Sequence, residues 1–200
     1  MLIDDSDWSP EHGPLDAKGI TYAQELVWDL FEHFRAASTL LRRDAAYAEK
    51  IGSLQRQLYL PRVSPKTGWL QEWMSPDNLG DTTHRHLSGL VGFFPGDRVC
   101  VGASSPGLIA RVRNQLIARG MESFGWACAW RSLCWARLKD GEKAYQLILG
   151  VLRPSVDHSN GSAPNLFDMY SFGHWAIFQI DANFGARRRC WRCCCTPGPA

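Results

Sequence analysis

Apolar residues recur at intervals of three and four positions in several stretches of the chain, and this period predicts amphipathic α-helices. The predicted helices cover about residues 21–41, 45–58, 105–119, 124–138 and 140–152 of the 200. Ser105 followed by Pro106 is a start signal for the third of them, and Gly120 is its stop signal. Short connections join the first helix to the second and the fourth to the fifth, so the pattern predicts two helical hairpins.

Two long stretches without a helical period, residues 62–82 and 153–174, follow the second and the fifth predicted helices. Loops of this length in a compact domain tend to be functional. The first holds Trp69, Glu72 and Trp73, a carboxylate between aromatic faces that suits stacking on sugar rings and hydrogen bonding to hydroxyls. Packing of these side chains within the loop is an equally good interpretation. The pattern as a whole predicts an all-α fold with long functional loops.

Composition and charge argue against several classes of partner. The 22 basic and 20 acidic residues give a formal net charge of +2, which makes no case for nucleic acid. No apolar run reaches transmembrane length, and the N-terminus has no signal-peptide pattern. We therefore expect neither nucleic acid nor a membrane as a partner, and the sequence leaves the localisation unknown. Nine Trp and nine Phe residues are compatible with a carbohydrate site, although most Trp residues in helical proteins are core.

One carboxylate near the end of the chain stands in an apolar stretch. Asp181 lies within residues 175–185, with the amide side chains of Gln179 and Asn183 two positions away on either side. Burying a carboxylate is costly unless hydrogen bonds or a function compensate for it. The two amides are suited to orienting the carboxylate or a water molecule. A helix N-cap is the commoner use of such an Asp, and residue chemistry alone leaves both interpretations open.

The string Phe-Gln-Ile-Asp-Ala-Asn-Phe-Gly at 178–185 resembles the signature of glycoside hydrolase family 95, the α-L-fucosidases that invert the anomeric centre. A second motif, Ser-Pro-Glu at 9–11, resembles the family segment that supplies the general acid, so the resemblance implies that role for Glu11. The Gln-Glu-Trp segment around Glu72 is also similar to the family, which makes Glu72 a rival for the acid. The resemblance further implies that Asp181, working through the family's Asn-x-Asn segment, helps to activate the attacking water.

A third motif, His-Arg-His-Leu-Ser-Gly at 84–89, resembles the family's His-Arg-His-Leu-Ser-His, with Gly89 in the place of the last His. Two His residues at this spacing point apart on a helix, and Arg85 between them repels a cation, so we expect no metal. Hydrogen bonding to substrate hydroxyls is the more natural use of both rings. Residue chemistry and the resemblance together indicate these substrate-binding residues: His84, His86, Glu72, Trp73, Trp126 and Asn183.

The resemblance implies an (α/α)₆ barrel, a helical toroid that the predicted helices are too few to close. The family's Asn-x-Asn segment lies upstream of the motifs present here, so the chain resembles a truncated later portion of a catalytic domain. We expect residues 1–185 to be this partial catalytic domain. Residues 186–200 are rich in Arg and Cys and break the family pattern, so we expect a disordered tail there. Its Cys190-x-x-Cys193 pair lacks a second ligand pair for zinc.

By resemblance, the parent enzyme hydrolyses terminal α-linked L-fucose with inversion, acts on a fucosylated oligosaccharide or polysaccharide and needs no cofactor. We expect Glu11, Asp181 and the segment 84–86 to converge on one cleft. We also expect the chain to be unstable and inactive on its own. Two alternatives remain: a non-catalytic helical fragment that binds sugar or has a structural role, and a basic, Cys-rich interaction module based on the tail.

Overall fold

The computed structural model describes residues 1–156, 160–172 and 175–195 of the chain. The helices are α1 Thr21–Leu41, α2 Ala45–Gln55, α3 Pro106–Arg119, α4 Gly125–Arg137, α5 Gly141–Leu152 and α6 Ile180–Cys195. The strands are β1 Gly161–Ser162, β2 Asp168–Phe172 and β3 Trp175–Phe178, and a 3₁₀ turn covers Ser88–Leu90. Among the described residues, no helix combines the length and the apolar character needed to cross a membrane.

The five helices predicted from apolar periodicity are confirmed, with small shifts at their ends. The Ser105 hydroxyl accepts a hydrogen bond from the Leu108 amide at 3.3 Å, as its place before α3 predicts. Only α2 ends clearly early, at Gln55 instead of Leu58. The reason is that the chain after Gln55 leaves the helix to pair with the N-terminus, where Tyr59 donates its amide to the Leu2 carbonyl at 2.9 Å.

The prediction of an all-α fold needs correction, because part of the stretch predicted as a loop forms a small antiparallel sheet. Its order is β1-β2-β3, with Met169 opposite Phe178 and Tyr170 opposite Ile177. Aromatic and β-branched residues are enriched here, and such residues favour pleated strands over helix. The fold is therefore mostly helical with one small sheet. Residues 157–159 and 173–174 of the predicted loop lie outside the described residues.

The segment predicted to be a disordered tail begins inside α6, which continues to Cys195. Ala and Arg have high helix propensity, and no Gly or Pro interrupts residues 186–195, so local sequence favours this extension. The last five positions, 196–200, lie outside the described residues.

The chain divides into two compact units. Unit 1 comprises residues 1–84 and 88–115, and unit 2 comprises residues 85–87 together with the chain from 116 onward. In unit 1, α1 packs against α2 and against the 3₁₀ turn. In unit 2, α4 packs against α5 and α6, with β2 beside it.

Helix α1 buries polar residues in unit 1, whereas several residues of its predicted apolar face are exposed. Glu25 is 2% exposed and forms a bidentate ion pair with Arg98, whose Nε lies 2.5 Å from Oε2. Gly92 permits this pair, because a Cβ there would lie 2.3 Å from the Glu25 carboxyl carbon. By contrast, Leu26 is 41% exposed and Leu30 is 65% exposed. In the described residues, therefore, the apolar stripe of α1 is left largely uncovered.

Candidate active site

The Ser-Pro-Glu motif forms a tight turn with Glu11 at its exposed apex. The His12 amide donates to the Ser9 carbonyl at 3.2 Å, which closes the turn, and Pro10 occupies its second position. Glu11 has a φ of +66°, the backbone conformation that the third position of a type II turn requires and that Gly usually supplies. For a residue with a Cβ this conformation costs about 1–2 kcal/mol. Such strain persists only where the surroundings impose it, and it is concentrated at functional sites.

A buried carboxylate, that of Glu72, accepts hydrogen bonds from both ends of this turn. Glu72 is 6% exposed, and its Oε1 accepts a hydrogen bond from the Ser9 hydroxyl at 2.6 Å and from His12 Nε2 at 2.8 Å. The Asp81 amide donates to His12 Nδ1 at 3.2 Å, so Nδ1 is the acceptor and the ring proton lies on Nε2. Residues on both sides of Glu11 thus donate hydrogen bonds to the same oxygen atom, Glu72 Oε1.

Aromatic packing fixes the same region. The His12 ring stacks on His84, with centroids 4.3 Å apart and planes at 17°, and meets Trp73 edge-on at 5.0 Å. Trp73 is 1% exposed and fits between Gly13 and Gly80, where an added Cβ would lie 2.4 Å and 2.3 Å from the indole. A carboxylate oxygen of Glu11 and a ring nitrogen of His84 lie within 4.8 Å of each other. Trp73 is therefore packed in the core of unit 1, which fits the packed-loop interpretation, one of the two that the sequence left open, and its contact with a sugar stays a prediction.

In unit 2, Asp181 lies in the first turn of α6 and is exposed. Because the helix begins at Ile180, Asp181 is one residue inside it, so the N-cap interpretation is wrong. Its Oδ1 accepts a hydrogen bond from the Ala182 amide at 3.0 Å. A carboxylate at this place is stabilised by the helix dipole, and its exposure leaves it accessible to a ligand or a water molecule.

The two amides beside Asp181 fasten the start of α6 to its neighbours. Gln179 Oε1 accepts a hydrogen bond from the Trp126 amide in the first turn of α4, at 3.4 Å. Asn183 Oδ1 accepts from the Asp168 amide at 3.0 Å, and its Nδ2 donates to the Leu166 carbonyl at 3.0 Å. These contacts are with the backbone of the chain itself. Substrate binding by Asn183 stays a prediction, and the structure gives this side chain a positioning role.

Two further predicted binding residues lie next to each other in unit 2. The His86 ring meets Trp126 edge-on, with centroids 4.7 Å apart, and Trp126 in turn lies 6.1 Å from Trp130. His86 is 9% exposed and Trp126 is half-buried. The structure thus places Glu11, Glu72, Trp73 and His84 in unit 1, and His86, Trp126, Asp181 and Asn183 in unit 2.

Sequence reasoning missed a second carboxyl group in unit 2, that of Asp168. Asp168 is fully buried, and neither carboxyl oxygen has a hydrogen-bond partner among the described residues. Burial, and then the negative charge of Asp181, raise the pKa of Asp168 to about 7. Gly125 makes room for it, because a Cβ there would lie 2.1 Å from Oδ1. The available signal in the sequence was an acidic residue at the start of the segment Asp168–Phe172, which holds two aromatic residues.

Asp168→Asn is expected to increase the stability of the protein, relative to the wild type, more at pH 8 than at pH 5. Because the pKa of Asp168 is raised from 3.8 to about 7 in the folded state, that state holds the proton more tightly. The contribution of this group to stability is therefore present at low pH and is lost as the pH rises through about 7. The measurement is the difference in Tm between variant and wild type at both pH values.

Asp77→Asn is a suitable control for this pH dependence. Asp77 is exposed, and a hydrogen bond and ion pair with Lys66 lower its pKa, so it is ionised in both states at pH 5 and at pH 8. Its Tm difference should be the same at the two pH values. An equally constant difference for Asp168→Asn would contradict a protonated, buried Asp168.

Comparison with known proteins gives the same family as the sequence motifs described above. A model of the glycosyl hydrolase family 95 catalytic domain matches residues 1–188. "Probable alpha-fucosidase A" of Aspergillus niger is 35% identical over 190 residues, covering 88% of this chain and 22% of the relative. The Aspergillus oryzae protein of the same name is 33% identical, over 88% of this chain and 25% of the relative.

A plant relative gives the same picture. "Alpha-L-fucosidase 2" of Arabidopsis thaliana is 32% identical over 192 residues, covering 88% of this chain and 22% of the relative. The chain thus spans about a quarter or less of the length of these curated relatives. A family match over nearly the whole chain nevertheless identifies the family. The chain therefore belongs to glycosyl hydrolase family 95, whose catalytic domain it matches.

Proposed function

We propose that the protein carrying this chain is a glycoside hydrolase that releases terminal α-linked L-fucose from a fucosylated oligosaccharide or polysaccharide, with inversion. Glu11 is the general acid in this proposal, and Asp181 helps a water molecule to attack the anomeric carbon. Family membership supports the reaction class, and the names of the relatives support the sugar. No cofactor takes part in this scheme.

The observation that carries the assignment of the acid is the conformation of Glu11. It is exposed at the apex of a turn with a φ of +66°, and the flanking residues Ser9 and His12 are both anchored to Glu72. A residue with a strained backbone that neighbouring residues hold in place is suited to meet a leaving oxygen at a fixed position. Glu72, the rival, is buried and already accepts two hydrogen bonds on Oε1. These features favour Glu11.

In the proposed reaction, Glu11 donates its proton to the glycosidic oxygen as the bond to the anomeric carbon breaks. Asp181, working through the family's Asn-x-Asn segment, helps to take up the proton of the water that attacks from the opposite face, and the sugar leaves with inverted configuration. Inverting hydrolases hold the two carboxyl groups about 6.5–9.5 Å apart to leave room for that water. The proposal therefore requires both carboxyl groups to reach one substrate. His84, His86 and Trp126 are proposed to contact the sugar beside them.

We further propose that these helices are part of an (α/α)₆ barrel that is completed by chain beyond this segment. The support is the uncovered apolar surface: Leu30 of α1 is 65% exposed and Leu152 of α5 is 59% exposed. Each hairpin in such a toroid is stabilised by packing on its neighbours. A non-catalytic helical protein that binds sugar or has a structural role is the second candidate function, favoured by the burial of Trp73 and by the hydrogen bonds of Asn183 to backbone groups.

The test uses a chimera in which residues 1–188 replace the matching segment of the Aspergillus niger relative. Proton NMR of the hydrolysis of an α-L-fucoside should show β-L-fucose as the first product, before mutarotation, with the parent relative assayed in parallel. First appearance of α-L-fucose would contradict inversion. A chimera that unfolds cooperatively but releases no fucose, while the parent does, would favour the non-catalytic candidate.

A further inference from the structure

We infer that Glu72 is a positioning residue that sets the orientation of Glu11 by holding both ends of the turn that carries it. The inference rests on the proposed role of Glu11 as the general acid. It assigns to Glu72 a task distinct from proton donation, and it includes Ser9 and His12 as the two groups through which Glu72 acts. We call Ser9, His12 and Glu72 the turn clamp.

The turn clamp ties both ends of the turn to a single atom of Glu72. Ser9 and His12 lie two residues before and one residue after Glu11, and both donate to the same atom, Glu72 Oε1, at 2.6 Å and 2.8 Å. Glu72 is 60 or more residues away in sequence, so this contact is tertiary and cannot be a property of the turn alone. One atom therefore fixes the spacing between the two residues that enclose Glu11.

The turn clamp is itself held in place by neighbouring residues. The Asp81 amide fixes His12 through Nδ1, and His84 stacks on the same ring. Ser9 is fully buried and His12 is 7% exposed, so water does not compete strongly for these hydrogen bonds. Hydrogen bonds to a buried carboxylate are stronger than neutral ones, and removing such an acceptor leaves its donors unsatisfied.

Glu72 is already engaged inside the protein. Its side chain is buried, and its Oε1 accepts hydrogen bonds from Ser9 and His12, an arrangement that suits holding the turn. The positive φ of Glu11 also needs an external constraint, since a turn with Glu at this position would otherwise relax. The turn clamp is that constraint.

Loss of the clamp should therefore misplace the acid without removing it. A displacement of about 1 Å in a reacting group can cost on the order of 100-fold in rate. In the chimera, we expect Glu72→Leu to lower kcat for an unactivated fucosyl disaccharide by about 10- to 100-fold, with little change in KM. Hydrolysis of an activated aryl fucoside should fall much less, because its leaving group needs little protonation. Glu72→Gln, which keeps an acceptor oxygen, should recover most of the loss.

Two comparisons separate positioning from simple loss of stability. Adding Glu72→Leu to Glu11→Gln should change the disaccharide rate by less than about threefold, because the clamp acts only through Glu11. Glu25→Gln is the matched control: it alters another buried carboxylate of unit 1 that pairs with Arg98 and is not part of the clamp. It should leave the ratio of disaccharide to aryl rates unchanged. Ser9→Ala, a milder change, tests the clamp if Glu72→Leu folds poorly.

Hydrogen exchange measured by mass spectrometry gives a readout besides activity. In Glu72→Leu, peptides covering residues 8–14 should exchange faster than in the wild type, since the turn amide of His12 is then less protected. Additive effects of Glu72→Leu and Glu11→Gln, equal losses on both substrates, or unchanged exchange in 8–14 would overturn the inference. If Glu11→Gln itself shows no leaving-group dependence while exchange in 8–14 does respond, the proposed role of Glu11 fails and the clamp stands as a structural feature.

Discussion

Glu11→Gln in the chimera is expected to lower hydrolysis of a fucosyl disaccharide by about 10²- to 10⁴-fold, the usual contribution of a general acid. A sugar leaving group is a strong base, so its departure requires protonation, and Gln has no proton of suitable acidity to give. An aryl fucoside with an acidic phenol should lose much less, since its leaving group departs as the anion. The measurement is kcat/KM for both substrates in variant and wild type.

Glu49→Gln is the control for this substitution. Glu49 is an exposed residue of α2 in unit 1, so the same chemical change is made at a site outside the turn clamp. Both substrates should be hydrolysed at the wild-type rate. If Glu72→Gln gives the strong leaving-group dependence and Glu11→Gln does not, the two residues have been assigned in reverse.

Asp181→Asn is expected to lower hydrolysis of the disaccharide and the aryl fucoside by a similar factor, about 10²- to 10⁴-fold. Attack by water is required for every substrate, whatever its leaving group, so loss of the group that helps to activate the water affects both. Because Asp181 is exposed in the first turn of α6, the effect on folding should be small, about 0.3–1 kcal/mol from the helix dipole. Activity and thermal unfolding are measured on the same preparations.

Glu142→Gln provides the matched control for the contribution of the helix dipole to stability. Glu142 is an exposed carboxylate in the first turn of α5, also in unit 2. Its substitution should cause a comparable small change in stability and none in activity. An Asp181→Asn variant that is as active as the Glu142→Gln control would remove Asp181 from the mechanism and leave it as a helix-terminus residue.

The helices were predictable because their signals are local. Apolar periodicity and the cap at Ser105 act within a few residues, and the structure places α1, α3, α4 and α5 where those signals indicate. The orientation of α1 was not predictable in the same way. Its burial of Glu25 depends on Arg98 and Gly92, more than 60 residues away, and no periodicity within the helix encodes that contact.

In the sheet and in the site, too, local features could be predicted from the sequence and tertiary contacts could not. β1 has only two residues, too few to leave a period, and its pairing with β2 is tertiary. The motifs identified Glu11, Glu72, His84 and Asp181 as unusual residues, but their sequence could not reveal that Glu72 bonds to the neighbours of Glu11. Asp168 was missed because burial, which raises its pKa to about 7, is a property of the packed chain.

The central claim is that Glu11 supplies the proton and that Asp181 helps to activate the water. Its most direct test is one ratio measured in two variants. The ratio is kcat/KM for the fucosyl disaccharide divided by kcat/KM for the aryl fucoside. Relative to the wild-type chimera, it should fall by at least about 10-fold in Glu11→Gln and stay nearly constant in Asp181→Asn. An unchanged ratio in Glu11→Gln, or an equal fall in both variants, would contradict the account.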